Sequence, residues 1–151
     1  MIRTNKRLAL CVILLIGCLC FIWGNSLLNA AASSTVSDFV GKIMGVLPDS
    51  PMAGGLPLRK IAHFLEFAAL GWLLIWLTVM LGQRRLHALE TTLLCGLAAA
   101  CVDETIQMFS PGRSSSLADV WLDAAGVLAG GLLLLLVCCL RREIHRAGQR
   151  R

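Results

Sequence analysis

The sequence predicts an all-α fold, an integral membrane four-helix bundle with both termini in the cytoplasm. Three observations support this class: the composition, four long apolar runs, and the distribution of the basic residues. Hydrophobic residues make up 57% of the 151 residues and charged residues only 15%, with a mean hydropathy of +0.75. An average soluble domain is much less apolar, so we expect helices that span a membrane.

The four apolar runs differ in how well they meet the length of a membrane span. A span needs about 20 mostly apolar residues, because the hydrocarbon core is about 30 Å thick and a helix rises about 1.5 Å per residue. Residues 8–28 and 117–140 are the strongest candidates, and residues 61–81 qualify apart from two ionisable side chains. Residues 86–109 form the weakest candidate, since only residues 91–102 are free of charge.

The basic residues predict the orientation of the chain. Ten of the fourteen precede the first span, separate the second from the third, or follow the last: Arg3, Lys6, Arg7, Arg84, Arg85, Arg141, Arg142, Arg146, Arg150 and Arg151. Segments rich in Lys and Arg stay in the cytoplasm, so we predict a multi-pass protein of the cell membrane with both termini inside. Contact with anionic lipid explains the basic tail, and no nucleic-acid partner is expected.

The first apolar run has two alternative interpretations. Its basic flank, its apolar core and the small residues 30–32 resemble a secretory signal, and residues 15–18 resemble a lipoprotein cleavage box. However, the run is longer than a usual signal core, and apolar residues follow Cys18 where a lipoprotein has a polar tether. We therefore predict an uncleaved first transmembrane helix in residues 1–28, with cleavage as the open alternative.

The remaining chain divides into three segments. Residues 29–60, which contain three prolines and a Gly-Gly pair, predict an extracytoplasmic loop. Within this loop, residues 36–47 have helical apolar spacing, which indicates a short amphipathic helix on the outer face. Residues 61–140 are predicted to form a core of three transmembrane helices, and residues 141–151 a basic cytoplasmic tail.

The seven cysteines all lie inside apolar runs, and none has the spacing of a zinc site. We expect them to be free thiols that pack as small hydrophobic side chains. The cysteines therefore predict neither a disulfide nor a structural zinc site, and no metal or cofactor is expected from them.

Ionisable residues begin the second span. His63 and Glu66 share a helix face because they are three residues apart, while Arg59 and Lys60 precede them at headgroup level. The alternative is that His63 is an interfacial residue and Glu66 an acid that faces the helix dipole. A carboxylate among apolar neighbours nevertheless needs a partner or a proton, which favours a functional cluster.

The third span predicts a second group of acids at the same depth. Its charge-free core, residues 91–102, covers about 18 Å as a helix, which is too short to cross the hydrocarbon. The helix must therefore continue through Asp103, Glu104 and Gln107, which lie within an arc of roughly 100° and can face the bundle interior. The alternative is a span that ends at Val102, with Asp103 as a solvated cap.

The fourth span begins with a third acidic face. Ser116 and Asp119 fit a capping box, but this does not account for Asp123, one turn deeper on the same face. The face continues as Gly126 and Gly130, a spacing that lets another helix approach closely, either within one chain or between two chains. An oligomer through these glycines is therefore one alternative.

These helix ends predict one polar site at the outer leaflet, because charges at membrane depth persist when they pair or serve function. After the turn at residues 110–113, Arg113 is the expected cation for one or two of the carboxylates. The predicted ligand-binding residues are Arg59, Lys60, His63, Glu66, Asp103, Glu104, Gln107, Arg113, Asp119 and Asp123.

Two stretches resemble the signatures of the VanZ-like family. Residues 60–71, KIAHFLEFAALG, are similar to the first signature, and residues 103–119, with the pattern DExxQxFxPGRxxxxxD, are similar to the second. The sequence departs from the family at Phe67, where Tyr is common, and at Asp123, where Asn is common. The resemblance implies a small multi-pass membrane protein, and the family's founding member is associated with resistance to the glycopeptide teicoplanin.

The expected function is therefore that of an envelope protein. Its outer-leaflet site would bind a lipid-linked envelope precursor or a lipophilic glycopeptide, with a link to teicoplanin-type resistance. Two alternatives stay open. One is a purely structural ion-pair network. The other is an intramembrane enzyme acting on a lipid headgroup, with or without a manganese or magnesium ion held by the histidine and carboxylates. The candidate catalytic residues are His63, Glu66, Asp103 and Glu104.

Overall fold

The computed structural model describes residues 2–27, 56–110 and 115–149 of the chain. These residues form four α-helices and no strand: α1 (Ile2–Leu27), α2 (Leu56–Met80), α3 (Arg85–Met108) and α4 (Leu117–Gln149). Each helix is long and apolar enough to cross a membrane. The predicted all-α class and the four spans are confirmed, while the orientation of the termini stays a prediction. The predicted outer-face helix at residues 36–47 lies outside the described residues.

Two helix boundaries bear on the polar site. Helix α2 begins at Leu56, five residues before the predicted start, so Arg59 belongs to the first turn of the helix. Pro57 is compatible with this start, because the N–H groups in the first turn make no hydrogen bond within the helix and a proline there loses none. Helix α3 continues to Met108, as the bilayer thickness requires, and its 24 residues span about 36 Å.

A short turn makes α2 and α3 antiparallel neighbours. Helix α2 ends in a turn in which Gly82 has a φ of +78°, the left-handed conformation that glycine adopts without steric cost. The N–H groups of Gly82 and Gln83 donate to the carbonyls of Val79 and Thr78. Helix α1 packs against both α2 and α3, and α4 packs against the same two helices. The α2–α3 pair is therefore central to the bundle.

Helices α2 and α4 are in close backbone contact. A Cβ atom at Gly130 would overlap the carbonyl oxygen of Ala68, and one at Gly126 would lie 2.5 Å from that of Phe64. On the facing helix, Gly71 has the same relation to the backbone of Val127. The sequence left open whether Gly126 and Gly130 pack within one chain or between chains. In the structure both glycines contact α2 of the same chain, so this contact already covers the surface on which the oligomer alternative depended.

Apolar side chains occur both inside the bundle and on its outer surface. The buried core includes Ile22, Phe67 and Leu70, whereas Ile13 and Leu94 are more than half exposed. Hydrocarbon around a membrane-spanning bundle can cover such exposed apolar side chains. Polar side chains in this setting must find partners inside the protein.

We expect Gly130→Ala to destabilise the protein, because the new methyl group meets the backbone of α2 rather than a movable side chain. Overpacking of this kind costs about 1–3 kcal/mol. Gly17→Ala is the matched control, since no atom lies within 4 Å of the Cβ position at Gly17. Unfolding of the purified protein in detergent, followed by circular dichroism, measures the difference. Equal midpoints for Gly130→Ala and the parent would contradict the close contact.

Candidate functional site

Polar side chains of all four helices meet at one end of the bundle. The C-terminal ends of α1 and α3 lie there beside the N-terminal ends of α2 and α4, because consecutive helices run antiparallel. We call this group the polar cluster. Its members are Asn25, Ser26, Arg59, Lys60, His63, Glu66, Asp103, Glu104, Gln107, Ser110, Asp119 and Asp123.

Asp103 is the centre of the polar cluster and is fully buried. Its Oδ1 accepts a hydrogen bond of 2.6 Å from Ser26 Oγ, and its Oδ2 accepts one of 2.6 Å from Gln107 Nε2. His63 Nδ1 lies 3.8 Å from Oδ2, and Gln107 Oε1 in turn accepts a 2.9 Å bond from Arg59 Nη2. One carboxylate therefore connects α1, α2 and α3.

The predicted polar stripe of α3 is confirmed as a buried face. Asp103, Glu104 and Gln107 are at most 5% exposed, whereas Met108 is 67% exposed. The alternative in which the span ends at Val102, with Asp103 as a solvated cap, is excluded. The residues of this stripe are one helical turn apart or adjacent, so the same rotation of α3 buries all three.

Sequence reasoning missed three members of the polar cluster, two of which come from α1. Asn25 Nδ2 donates to Glu66 Oε1 at 3.2 Å, and Ser26 donates to Asp103. Ser110 Oγ donates to the backbone carbonyl of Ser26 at 2.7 Å. The available signal was a pair of adjacent polar residues at the end of an otherwise apolar run. That pair predicts a polar helix end, but not its partner helix.

The predicted capping box at the start of α4 is only half correct. Ser116 Oγ accepts a hydrogen bond from the N–H of Ala118, as a helix cap does. The Ser116 N–H, however, donates at 2.9 Å to Glu104 Oε2 of α3, not to Asp119. Asp119 instead pairs with Lys60 Nζ at 3.1 Å. Glu104 of α3 therefore takes the place in the cap that was predicted for Asp119.

The polar cluster encloses a cavity of about 40 Å³, which is enough for water molecules or an ion. Seven of the ten predicted site residues line it together with Leu122: Arg59, Lys60, His63, Glu104, Gln107, Asp119 and Asp123. Of the other three, Asp103 is buried next to His63, and Glu66 bonds to Asn25 of α1. Arg113, the predicted cation for the carboxylates, lies outside the described residues.

Asp123 differs from the other acids of the polar cluster. It is 1% exposed, and among the described residues neither of its carboxylate oxygens has a hydrogen-bond partner. It also belongs to the group that could hold a metal in the described part of the chain. His63, Asp103 and Asp123 each offer one ligand atom, and these atoms lie within 4.8 Å of one another.

We expect Asp103→Ala to destabilise the protein more than Asp119→Ala. The first change leaves the Ser26 hydroxyl and the Gln107 amide without their acceptor inside the bundle, at a cost of about 3 kcal/mol or more. The second breaks an ion pair in which Lys60 is half exposed, which is worth about 1 kcal/mol or less. Unfolding midpoints in detergent compare the two variants. Equal losses would show that Asp103 does not connect the helices.

A comparison with known proteins assigns the family. The search of curated proteins and the search of solved structures found no match. The sequence model of one family, described as VanZ/LLP1, matches residues 10–138. This range runs from α1 to the last third of α4 and includes every member of the polar cluster. It also includes the two stretches that resemble the family signatures, residues 60–71 and 103–119. The chain is therefore a membrane protein with four apolar helices that belongs to the VanZ/LLP1 family.

Proposed function

We propose that this protein binds the phosphorylated headgroup of an envelope lipid at the mouth of the cavity. The observation that carries the proposal is the position of Arg59 and Lys60, which line the cavity in the first turns of a membrane-spanning helix. Basic side chains at the end of a span lie at the level of the lipid phosphates. In the predicted orientation of the chain, this is the outer leaflet.

The two cations are suited to a phosphate group for different reasons. Arg59 presents a planar guanidinium with five N–H donors, and its bond to Gln107 holds it in position. Lys60 is half exposed and pairs with Asp119, which is 24% exposed. Because a partly exposed ion pair is weak, a phosphate can replace Asp119 as the partner of Lys60 at little cost.

The interior of the cavity favours a headgroup that also carries hydroxyl groups. Glu104 Oε1 and both oxygens of Asp123 are buried and, among the described residues, have no hydrogen-bond partner. These oxygens can accept hydrogen bonds from hydroxyl groups or from water. A lipid-linked envelope precursor has a headgroup of this kind, with a phosphate that would lie at the rim and hydroxyl groups that would lie behind it.

The two cations favour a lipid phosphate over a glycopeptide as the direct ligand. The cavity of about 40 Å³ holds a few small groups at most, so only the part of a lipid headgroup next to the phosphate would enter it, with the rest outside. We therefore propose that any effect on tolerance to teicoplanin-type antibiotics arises through the lipid-linked precursor. Binding of the precursor would change how much of it the antibiotic can reach at the membrane surface.

A catalytic role is the second candidate, and the position of His63 favours it. His63 lines the cavity beside Asp103, so it could carry a proton to or from a bound headgroup. This function predicts a chemically altered lipid in cells that express the protein. Binding alone predicts an unaltered lipid, which separates the two candidates.

We expect the double change Arg59→Gln and Lys60→Gln to weaken binding of phosphatidylglycerol by about ten-fold or more, since two charge contacts to the phosphate are lost. The matched control is Arg141→Gln with Arg142→Gln, which removes two exposed charges at the opposite end of the bundle and so measures the loss due to general contact with anionic lipid. Native mass spectrometry of the purified protein with phosphatidylglycerol or phosphatidylcholine measures the retained lipid. Equal retention by both double variants would exclude binding at the cavity mouth.

We expect Glu104→Gln to lower glycopeptide tolerance while the amount of protein in the membrane stays normal. Glutamine keeps an oxygen that can accept the Ser116 N–H bond, so the cap of α4 can persist without the charge. Tolerance assays and immunoblots of membrane fractions compare the variant with the parent. Reduced abundance with no selective change in tolerance would favour the purely structural network. A lipid species that disappears in the variant would favour the enzyme.

A further inference from the structure

We propose that His63, Asp103 and Asp123 together bind one divalent metal cation inside the bundle. The three side chains come from α2, α3 and α4, and each offers one ligand atom. These atoms lie within 4.8 Å of one another, with His63 Nδ1 3.8 Å from Asp103 Oδ2. When two ligand atoms lie on opposite sides of an ion, each about 2.1 Å from it, they are about 4.2 Å from one another. Small shifts of the side chains therefore bring the three atoms to binding distance of one ion.

The strongest argument for the site is the environment of Asp123. Its side chain is 1% exposed, and among the described residues neither oxygen accepts a hydrogen bond. A charged carboxylate without any partner is very costly inside a bundle of apolar helices. Something must therefore compensate Asp123, either a proton or a cation. A metal ion bound by Asp123, His63 and Asp103 compensates the charge of Asp123. The same ion also offsets the charge of Asp103, the second buried acid.

Asp103 is held as a metal-binding carboxylate usually is. Ser26 donates to one of its oxygens and Gln107 to the other, while Arg59 holds Gln107 from outside. Hydrogen bonds of this kind orient the carboxylate that binds a metal and are a regular part of metal sites in proteins. The network therefore has a use beyond joining the helices, because it fixes the direction of the Asp103 oxygens.

The donor atoms indicate the class of metal. One imidazole nitrogen and two carboxylate oxygens suit a hard or borderline ion such as Mn²⁺, which keeps water on its remaining positions. His63 and Asp123 both line the cavity of about 40 Å³, which has room for such water molecules. Binding of the metal does not depend on the proposed lipid ligand. The sequence predicted a metal only in the enzyme alternative, and a bound ion would revise that prediction.

The test is a Mn²⁺ titration of the full-length protein in detergent after removal of metals with a chelator. Electron paramagnetic resonance reports the free ion and, in frozen samples, the coupling of bound Mn²⁺ to a histidine nitrogen. We expect one Mn²⁺ per chain, with affinity at least about ten-fold lower in Asp123→Asn and His63→Gln. The nitrogen coupling should vanish in His63→Gln.

Asp119→Asn is the matched control, since it removes the same charge one turn earlier on α4 and lies outside the three ligands. It should bind Mn²⁺ within about two-fold of the parent, as expected for a charge partly screened by solvent. Absence of stoichiometric binding by the parent protein would overturn the proposal, as would equal losses in Asp119→Asn and Asp123→Asn. Higher thermal stability of Asp123→Asn in chelator, with no Mn²⁺ response in the parent, would identify a proton as the occupant.

Discussion

The carboxylate of Asp103 is the group on which the arrangement of the bundle depends. It is fully buried, and it accepts hydrogen bonds from Ser26 of α1 and Gln107 of its own helix while His63 of α2 lies beside it. Asp103 is fully buried and does not line the cavity, so these partners come from the protein. The helices that supply them are therefore held together at this end.

Close packing of α2 and α4 brings the other acids to the same place. Gly126 and Gly130 have no side chain between the two backbones, so α4 approaches α2 closely enough to bring Asp123 near His63. Larger residues at these positions would separate the helices and open the cavity. The same face of α4 carries the glycines and the acids of the polar cluster. Close packing at the glycines therefore also positions these acids.

The polar cluster combines features that a stability role alone does not require. Asp103 is fully bonded, yet Asp123, in the adjacent helix, has no hydrogen-bond partner among the described residues. Two cations line the same cavity, and Lys60 is half exposed, whereas Glu104 and Asp123 are buried. Buried acids beside more exposed bases fit the proposals of a metal and a phosphate as neighbours. The lipid proposal rests on Arg59 and Lys60, whereas the metal proposal rests on His63, Asp103 and Asp123. Asp123 also offers oxygens to the headgroup, but the two cations do not depend on it, so either proposal can fail alone.

Much of this protein follows from its sequence by itself, because bilayer thickness and helical period act locally. They determined the four spans, the continuation of α3 through Asp103 and Glu104, and the shared depth of the acids. Only the tertiary structure decided which groups meet: Ser26 with Asp103, Glu104 with the start of α4, and Asp123 with His63. These pairs depend on how each helix is rotated and how closely it approaches its neighbours. Packing between distant segments sets both, and no local pattern records it.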